Sequence, residues 1–182
     1  MAHENTLKTS PGKTADIASM LRVNQAGEYG AKRIYAGQLA VMGDRTPAAR
    51  SIAHMAEQEE RHLSAFNKLL AERGVRPTVL QPVWDVAGFA LGAVTAAIGP
   101  EAAMACTVAI ETEIDLHYSE QLAEIGESDP ELSAMVADFQ ADEQEHKATA
   151  LAEGAERAPA YPLMSAAIRL GCRTAIALSK RI

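Results

Sequence analysis

Two short segments of this chain place a glutamate three residues before a histidine. Glu59 precedes His62, and Glu143 precedes His146. On an α-helix, residues three apart lie side by side on one face, so each pair could offer a carboxylate and an imidazole to one metal ion. In a chain with 24 acidic residues one such motif indicates little, whereas two motifs with matched surroundings indicate a shared centre.

A further glutamate precedes each motif at nearly the same distance. Glu28 lies 31 residues before Glu59, and Glu111 lies 32 residues before Glu143. If each pair belongs to an antiparallel helical hairpin whose turn lies midway, its members lie at the same depth, roughly 24 Å from the turn. Each hairpin would then bring one glutamate and one Glu-x-x-His motif to a common layer.

Turn signals lie where these hairpins require them. Residues 43–47 and 126–130 both have the form Gly-x-x-x-Pro, with Thr46 and Asp129 as N-caps and proline at the first helical position. The turns and the glutamates repeat with the same offset of 83 to 84 residues. This offset predicts an internal repeat.

Four carboxylates and two imidazoles on four helices form the ligand set of a di-metal carboxylate bundle. Two divalent cations would neutralise four buried carboxylates, whose burial without partners would be prohibitive. Oxygen-rich ligation with two imidazoles suits iron or manganese better than structural zinc. The predicted ligands are Glu28, Glu59, His62, Glu111, Glu143 and His146.

The neighbouring acids and histidines are sorted by their angle around the helix. At 100° per residue, Glu60, Glu113 and Glu145 each lie about 200° from a predicted ligand, so we expect them to be solvated. His117 lies about 240° from Glu111 and is not expected to bind metal.

Two tyrosines and one aspartate allow alternative interpretations. Tyr35 and Tyr118 stand seven residues after Glu28 and Glu111, which suits core aromatics; alternatively Tyr118 lies beside the metals as a hydrogen-bond or redox partner. Asp142 directly precedes a predicted ligand, so it could hold a metal-bound imidazole through its second nitrogen or be a plain surface residue.

Composition and punctuation indicate a single all-helical domain. The chain has 182 residues, 48% hydrophobic and only 4% aromatic, with few β-branched runs. Its net charge of −7 argues against a nucleic-acid partner. We expect residues 1–14 to be flexible and 15–182 to form one ferritin-like domain. Glycine and proline predict helices at 15–42, 47–73, 83–98, 100–125, 130–156 and after Pro162.

Two of these helices are not needed by a four-helix core. The helix at 83–98 is apolar on nearly every face, with Trp84 at its start, and we expect it to lie on a membrane surface rather than serve as core alone. Its Gly88-x-x-x-Gly92 motif allows close helix packing. Residues 157–182 carry five basic residues and no acid, which suits either an anionic lipid surface or a homodimer contact.

Around these positions the chain resembles the demethoxyubiquinone hydroxylase family, the di-iron monooxygenases of ubiquinone biosynthesis. The resemblance runs from about residue 16 to the C-terminus, and all six predicted ligands match. It rests on the segments LRVNQAGEYGA, HMAEQEERHL, WDVAGFALGAVTA, ACTVAIETEIDLHY, DEQEHKATAL and GCRTAIALSKRI.

The resemblance implies two iron ions per chain and hydroxylation of the ring of a polyprenylated demethoxyubiquinol. The reaction would use O₂ and two electrons, from NADH directly or through reduced quinone. It also implies a position near the irons for Tyr118. A soluble ferritin-like protein for iron storage or peroxide scavenging is the main alternative, and a metal-free structural bundle is another.

The implied setting is a membrane surface. The first residues of the chain show no apolar signal segment, so we expect a peripheral protein on the cytoplasmic face of the inner membrane. Expected partners are the quinol substrate, further copies of this chain in a homodimer or other homo-oligomer, and a lipid-binding protein of the same pathway.

Overall fold

The chain is all-helical over the residues that the computed structural model describes, which are 16–44 and 46–181. This confirms the predicted class. The expected flexible segment 1–14 lies outside the described residues. In chain order the helices are α1 (Ile17–Met42), α2 (Pro47–Glu72), α3 (Gln81–Ile98), α4 (Pro100–Ile125), α5 (Pro130–Ala152) and α6 (Tyr161–Ser179).

The two predicted N-caps are present at the starts of α2 and α5. The side chain of Thr46 accepts a hydrogen bond from the Ala49 N–H, and that of Asp129 accepts one from the Leu132 N–H. Helix α5 ends at Ala152, four residues before the predicted end, because Gly154 takes a left-handed conformation and a 3₁₀ turn follows.

Two helical hairpins form the centre of the molecule. Helix α1 packs against α2, α4 packs against α5, and the two hairpins meet through contacts of α1 with α4 and of α2 with α5. Two apolar clusters hold them together, one around Ile52 and Met104 and the other around Phe66 and Leu132. On α2, Glu59 lies between these clusters, so the predicted ligand layer is enclosed by core on both sides.

Helix α3 packs along α1 at very short range, and glycines make this possible. A methyl group added at Gly92 would overlap the Ile34 carbonyl oxygen, and one added at Gly37 would overlap that of Phe89. A methyl at Gly88 would lie 3.1 Å from the Gly30 oxygen. The predicted close packing at the Gly-x-x-x-Gly motif is therefore present within the chain.

Helix α6 packs along α4 through charged side chains. The carboxylate of Glu113 accepts from Arg169 Nε at 2.5 Å and from Arg173 Nε at 2.8 Å. Glu113 is buried, so the prediction that it is solvated is wrong. Helical angle alone could not reveal the helix that covers this face. Two of the five cations in the basic tail are thus used inside the molecule.

The outer faces of α3 and α6 remain apolar and exposed. Val86 on α3 and Leu163 and Leu170 on α6 are each about two-thirds or more exposed. Among the described residues, one helix, Gln81–Ile98, is long and apolar enough to cross a membrane, and only 17% of it is buried. A core helix would be covered, so α3 presents apolar surface outward instead.

Candidate metal centre

All six predicted ligand residues meet in one buried layer between the two hairpins. Their donor atoms form two groups, and the atoms within each group lie within 4.8 Å of one another. Glu28 and His62 belong to one group, Glu111 and His146 to the other, and Glu59 and Glu143 to both. The arrangement suits two cations side by side, each with one terminal glutamate and one histidine, bridged by two shared carboxylates.

The layer holds donor atoms that the protein itself leaves without hydrogen bonds. Inside a protein, polar atoms without partners are costly, and unpaired charges more so. Their concentration here fits a site that binds cations, because a cation would satisfy all of them together. The buried atoms are Glu28 Oε2, both oxygens of Glu59, His62 Nδ1, Glu111 Oε2 and Glu143 Oε1.

The electrostatics of the layer lead to the same inference. Burial, followed by repulsion from the Glu143 carboxylate, raises the pKa of both Glu59 and Glu111 well above the ordinary value. Carboxylates this close oppose each other's ionisation. Divalent cations would reverse this by favouring the ionised forms.

Each histidine is oriented by a partner on the facing hairpin. His62 Nδ1 faces the layer, 3.1 Å from Glu143 Oε1, and its Nε2 lies 2.9 Å from Asp142 Oδ2. His146 Nε2 lies 3.0 Å from Gln58 Oε1. Both Nε2 contacts are to acceptor oxygens, so Nε2–H donates in each case, and Nδ1 is the nitrogen that would hold a cation.

Asp142 therefore lies where one of the two sequence interpretations put it, against an imidazole. The role of Gln58 was missed from the sequence. A signal was available, because Gln58 and Asp142 each directly precede the glutamate of a Glu-x-x-His motif and correspond under the internal repeat.

The two tyrosines are buried and reach across between the hairpins. The Tyr118 hydroxyl donates to Glu28, and the Tyr35 hydroxyl donates to Glu111. Burial, followed by the charge of the bonded glutamate, raises the pKa of both phenols well above the ordinary value. Tyr118 is therefore both a core residue and a neighbour of the predicted ligands. Tyr35 has an equivalent position, which the sequence interpretation described only as core.

The remaining sorted residues lie mostly as expected. Glu60 and Glu145 are exposed. His117 is buried outside the layer, with its Nε2 2.7 Å from Gln121 Nε2, and burial lowers its pKa to about 4. Among the described residues, no third group of potential metal ligands is present.

An apolar cavity borders the helices that carry Glu28 and Glu111. It has a volume of about 460 Å³ and lies between α1, α3, α4 and α6. Gly27 and Ala31, which flank Glu28 along α1, and Ile110, which precedes Glu111, form part of its wall. Glu113 is the one charged residue in the lining within the described chain, and its charge is matched by the α6 arginines.

The family model described as "Ubiquinone biosynthesis protein COQ7" matches residues 15–179 of this chain. That range contains every ligand, both tyrosines and the cavity. The chain belongs to this family. The resemblance noted in the sequence is thereby confirmed.

Relatives from distant organisms share most of the chain. A 3-demethoxyubiquinol 3-hydroxylase of Rhodospirillum rubrum is 50% identical over 179 residues, which cover 98% of this chain and 84% of the relative. The human NADPH-dependent 3-demethoxyubiquinone 3-hydroxylase, mitochondrial, is 49% identical, covering 92% and 79%. The Saccharomyces cerevisiae 5-demethoxyubiquinone hydroxylase, mitochondrial, is 39% identical, covering 95% and 81%.

Proposed function

We propose that this chain is a membrane-associated di-iron monooxygenase that hydroxylates the ring of a polyprenylated demethoxyubiquinol in ubiquinone biosynthesis. The observation that carries the proposal is the layer of buried, unpartnered donor atoms beside an apolar cavity. The names of its relatives, which are demethoxyubiquinol or demethoxyubiquinone hydroxylases, supply the substrate class and the reaction.

The metal centre in this proposal is held by the six clustered residues within a ferritin-like four-helix bundle formed by α1, α2, α4 and α5, in one domain over residues 15–182. Glu28 with His62 and Glu111 with His146 would each hold one ion, and Glu59 with Glu143 would bridge them. Two bound irons would supply the activation of O₂ that a ring hydroxylation requires. The donor set, mostly oxygen with two imidazoles, supports iron or manganese over structural zinc.

The cavity is the proposed binding site for the quinol. Its volume of about 460 Å³ lies within the range of roughly 300–1000 Å³ that is usual for small-molecule sites. Apolar walls would bind the ring with the first part of its tail and exclude water. The ring would face Glu28 and Glu111, whose neighbours line the inner wall.

Two residues are assigned positioning roles beside the ligands. Asp142 would fix the orientation of His62 through the Nε2 hydrogen bond. Tyr118 would hold the Glu28 carboxylate and is the proposed hydrogen-bond or redox partner at the reaction site. For electrons, we propose a nicotinamide donor or reduced quinone; the names of the mouse and human relatives specify NADPH, whereas the sequence interpretation named NADH.

The exposed apolar faces of α3 and α6 support the proposed membrane association. A long prenyl tail exceeds the cavity, so the tail would leave it between these helices and continue into lipid. Arg181 and the other cations near the end of α6 that Glu113 does not bind would favour an anionic surface. The cytoplasmic face of the inner membrane, a homo-oligomer and a lipid-binding partner stay predictions from the sequence.

The decisive experiment is quinone profiling in a bacterial strain that lacks its own demethoxyubiquinol hydroxylase. We expect the full chain to restore ubiquinone and to contain two irons when purified. Glu143→Ala should lose the metal and accumulate the demethoxy intermediate, whereas Glu145→Ala, an exposed change two residues away, should behave like the unaltered chain. An iron-loaded chain that restores no ubiquinone would instead favour iron storage or peroxide scavenging.

A further inference from the structure

The two histidines of the metal layer have chemically different partners. His62 donates to the carboxylate of Asp142, with Nε2 and Oδ2 2.9 Å apart, whereas His146 donates to the neutral amide oxygen of Gln58 at 3.0 Å. Asp142 and Gln58 occupy equivalent places in the internal repeat. The difference is therefore one of charge at matched geometry.

The other ligands of the two positions are closely matched. Glu59 and Glu143 belong to both donor groups. The terminal glutamates are also alike, since Glu28 accepts from Tyr118 and Glu111 accepts from Tyr35. The main difference between the two positions therefore lies in the surroundings of the two histidines.

A charged cluster surrounds the His62 side. Arg61 pairs with Asp142, and its Nη1 also donates to Asp138 at 3.0 Å. The guanidinium is therefore shared between two carboxylates, and the cluster keeps a net charge of −1. Arg61 also lies 5.2 Å from the centre of the Phe139 ring, which stacks on the His62 imidazole at 4.0 Å.

This environment affects how strongly Nδ1 of the His62 imidazole can bind a cation. A carboxylate that accepts from Nε2–H increases the electron density at Nδ1 and fixes the plane of the ring, whereas a neutral amide does so more weakly. Changes to such partners typically alter metal affinity by about 10- to 100-fold. The stacked Phe139 further restricts the ring of His62.

We propose that the two metal positions are unequal: the position of Glu28 and His62 binds a divalent transition-metal ion more tightly and fills before the position of Glu111 and His146. The inference rests on the proposed di-metal centre. Asp142 and Gln58 are positioning residues in it, and the charge of Asp142 sets the order of filling.

The test is a titration of the purified, metal-stripped full chain with Co²⁺, followed by visible absorption and by competition with a chelator of known affinity. We expect two ions per chain, with affinities that differ by about 10-fold or more. Asp142→Asn should weaken the first step by about 10-fold and bring the two affinities together. Gln58→Glu should strengthen the second step, which a variant that was merely unfolded would not do.

Three further variants complete the design. Asp138→Asn removes the other carboxylate bound to Arg61 without touching His62, so it should change the first step by less than about 3-fold. His146→Gln should retain the tighter Co²⁺ binding step, and His62→Gln should retain the weaker one. Circular dichroism should show unchanged helix content in both variants.

Three results would overturn the inference: equal affinities in the unaltered chain, equal weakening of both steps by Asp142→Asn, or an effect of Asp138→Asn as large as that of Asp142→Asn. Failure of the metal-stripped chain to bind Co²⁺ in the layer would overturn the di-metal centre itself. Failure of the inference and failure of the proposed function are thus distinguishable.

Discussion

The first three helices and the last three build the same arrangement by different means. In each half a hairpin supplies one glutamate and one Glu-x-x-His motif, and a third helix returns to pack on the first helix of that half. Helix α3 reaches α1 through glycines at backbone contact, whereas α6 is tied to α4 by the ion pairs of Glu113. Gly30 and Glu113 correspond under the 83-residue offset.

The difference between the outer helices shows which features the two halves of the internal repeat share. Side chains at the predicted metal layer are matched between the halves, because the proposed di-metal site would need equivalent ligands from both. The outer helices have no such constraint. Helix α3 lies at backbone contact with α1 and adds the Arg33–Asp85 ion pair, whereas α6 packs on α4 through side chains, both apolar ones and the arginines that bind Glu113. Arginine side chains span a wider gap between two helices than glycines in backbone contact do. The cavity lies between these two outer helices.

The largest difference in stability between the two outer helices should come from adding a methyl group at one glycine of each. Gly92→Ala would overlap the Ile34 carbonyl, so we expect the free energy of unfolding to fall by about 3 kcal/mol. Gly171→Ala on α6 meets no atom within 4 Å, so helix propensity should stabilise it by up to about 1 kcal/mol. Chemical denaturation measures both. Equal effects would contradict the assignment of close packing to α3 alone.

Removing the two tyrosine hydroxyls tests the matched interior. Tyr35→Phe and Tyr118→Phe each delete a buried hydrogen bond to a carboxylate, so each should lower the stability of the metal-loaded chain by about 2 kcal/mol. Activity measured on the same variants sharpens the comparison, because a redox role for Tyr118 requires a larger loss in Tyr118→Phe at equal stability. A stability effect confined to one tyrosine would contradict the symmetry.

Salt should weaken the ion pairs of Glu113 without affecting the glycine contacts of α3. Glu113→Gln should lower the free energy of unfolding by about 1 kcal/mol at low ionic strength, since the arginines are partly exposed, and by less in 1 M salt. Glu120→Gln, an exposed change on the same helix, is the control and should have no comparable effect. A difference for Glu113→Gln that did not depend on salt would indicate packing rather than charge.

The smallest effect should come from the charge of Asp129 in the second turn. Asp129 is hydrogen-bonded to Arg73, which outweighs burial and lowers its pKa. Its charged form therefore stabilises the fold above the unfolded pKa of roughly 3.9, and this contribution, about 0.5 kcal/mol, is lost as the pH falls through the lower folded value.

Denaturation between pH 2 and 7 measures this turn effect. Asp129→Asn should remove this contribution to the pH dependence of the free energy of unfolding, while the side chain still caps α5. Thr46→Ala, which removes the neutral cap of the other turn, should cost about 1 kcal/mol at every pH. A pH-dependent cost in Thr46→Ala would contradict the contrast between the turns.

Local signals in the chain predicted much of this structure. The Gly-x-x-x-Pro turns predicted both hairpins, and equal spacing from those turns predicted that the four glutamates and two histidines would meet. Both inferences depend only on helix geometry, which is uniform along the chain. The end of α5 was predicted too far along, because Gly154 can take a left-handed conformation that the helical pattern does not reveal.

Contacts between helices distant in sequence were decided by the tertiary structure alone. The sequence by itself determined the helical class and the common depth at which the six predicted ligand residues meet, since these follow from periodicity and punctuation. It did not determine that Glu113 is buried against Arg169, that Gln58 orients His146, or that Tyr35 reaches Glu111. Each of these depends on which helix covers a given face and at what distance. The sequence pattern gives the angle of a residue around its own helix but not the identity of its neighbour.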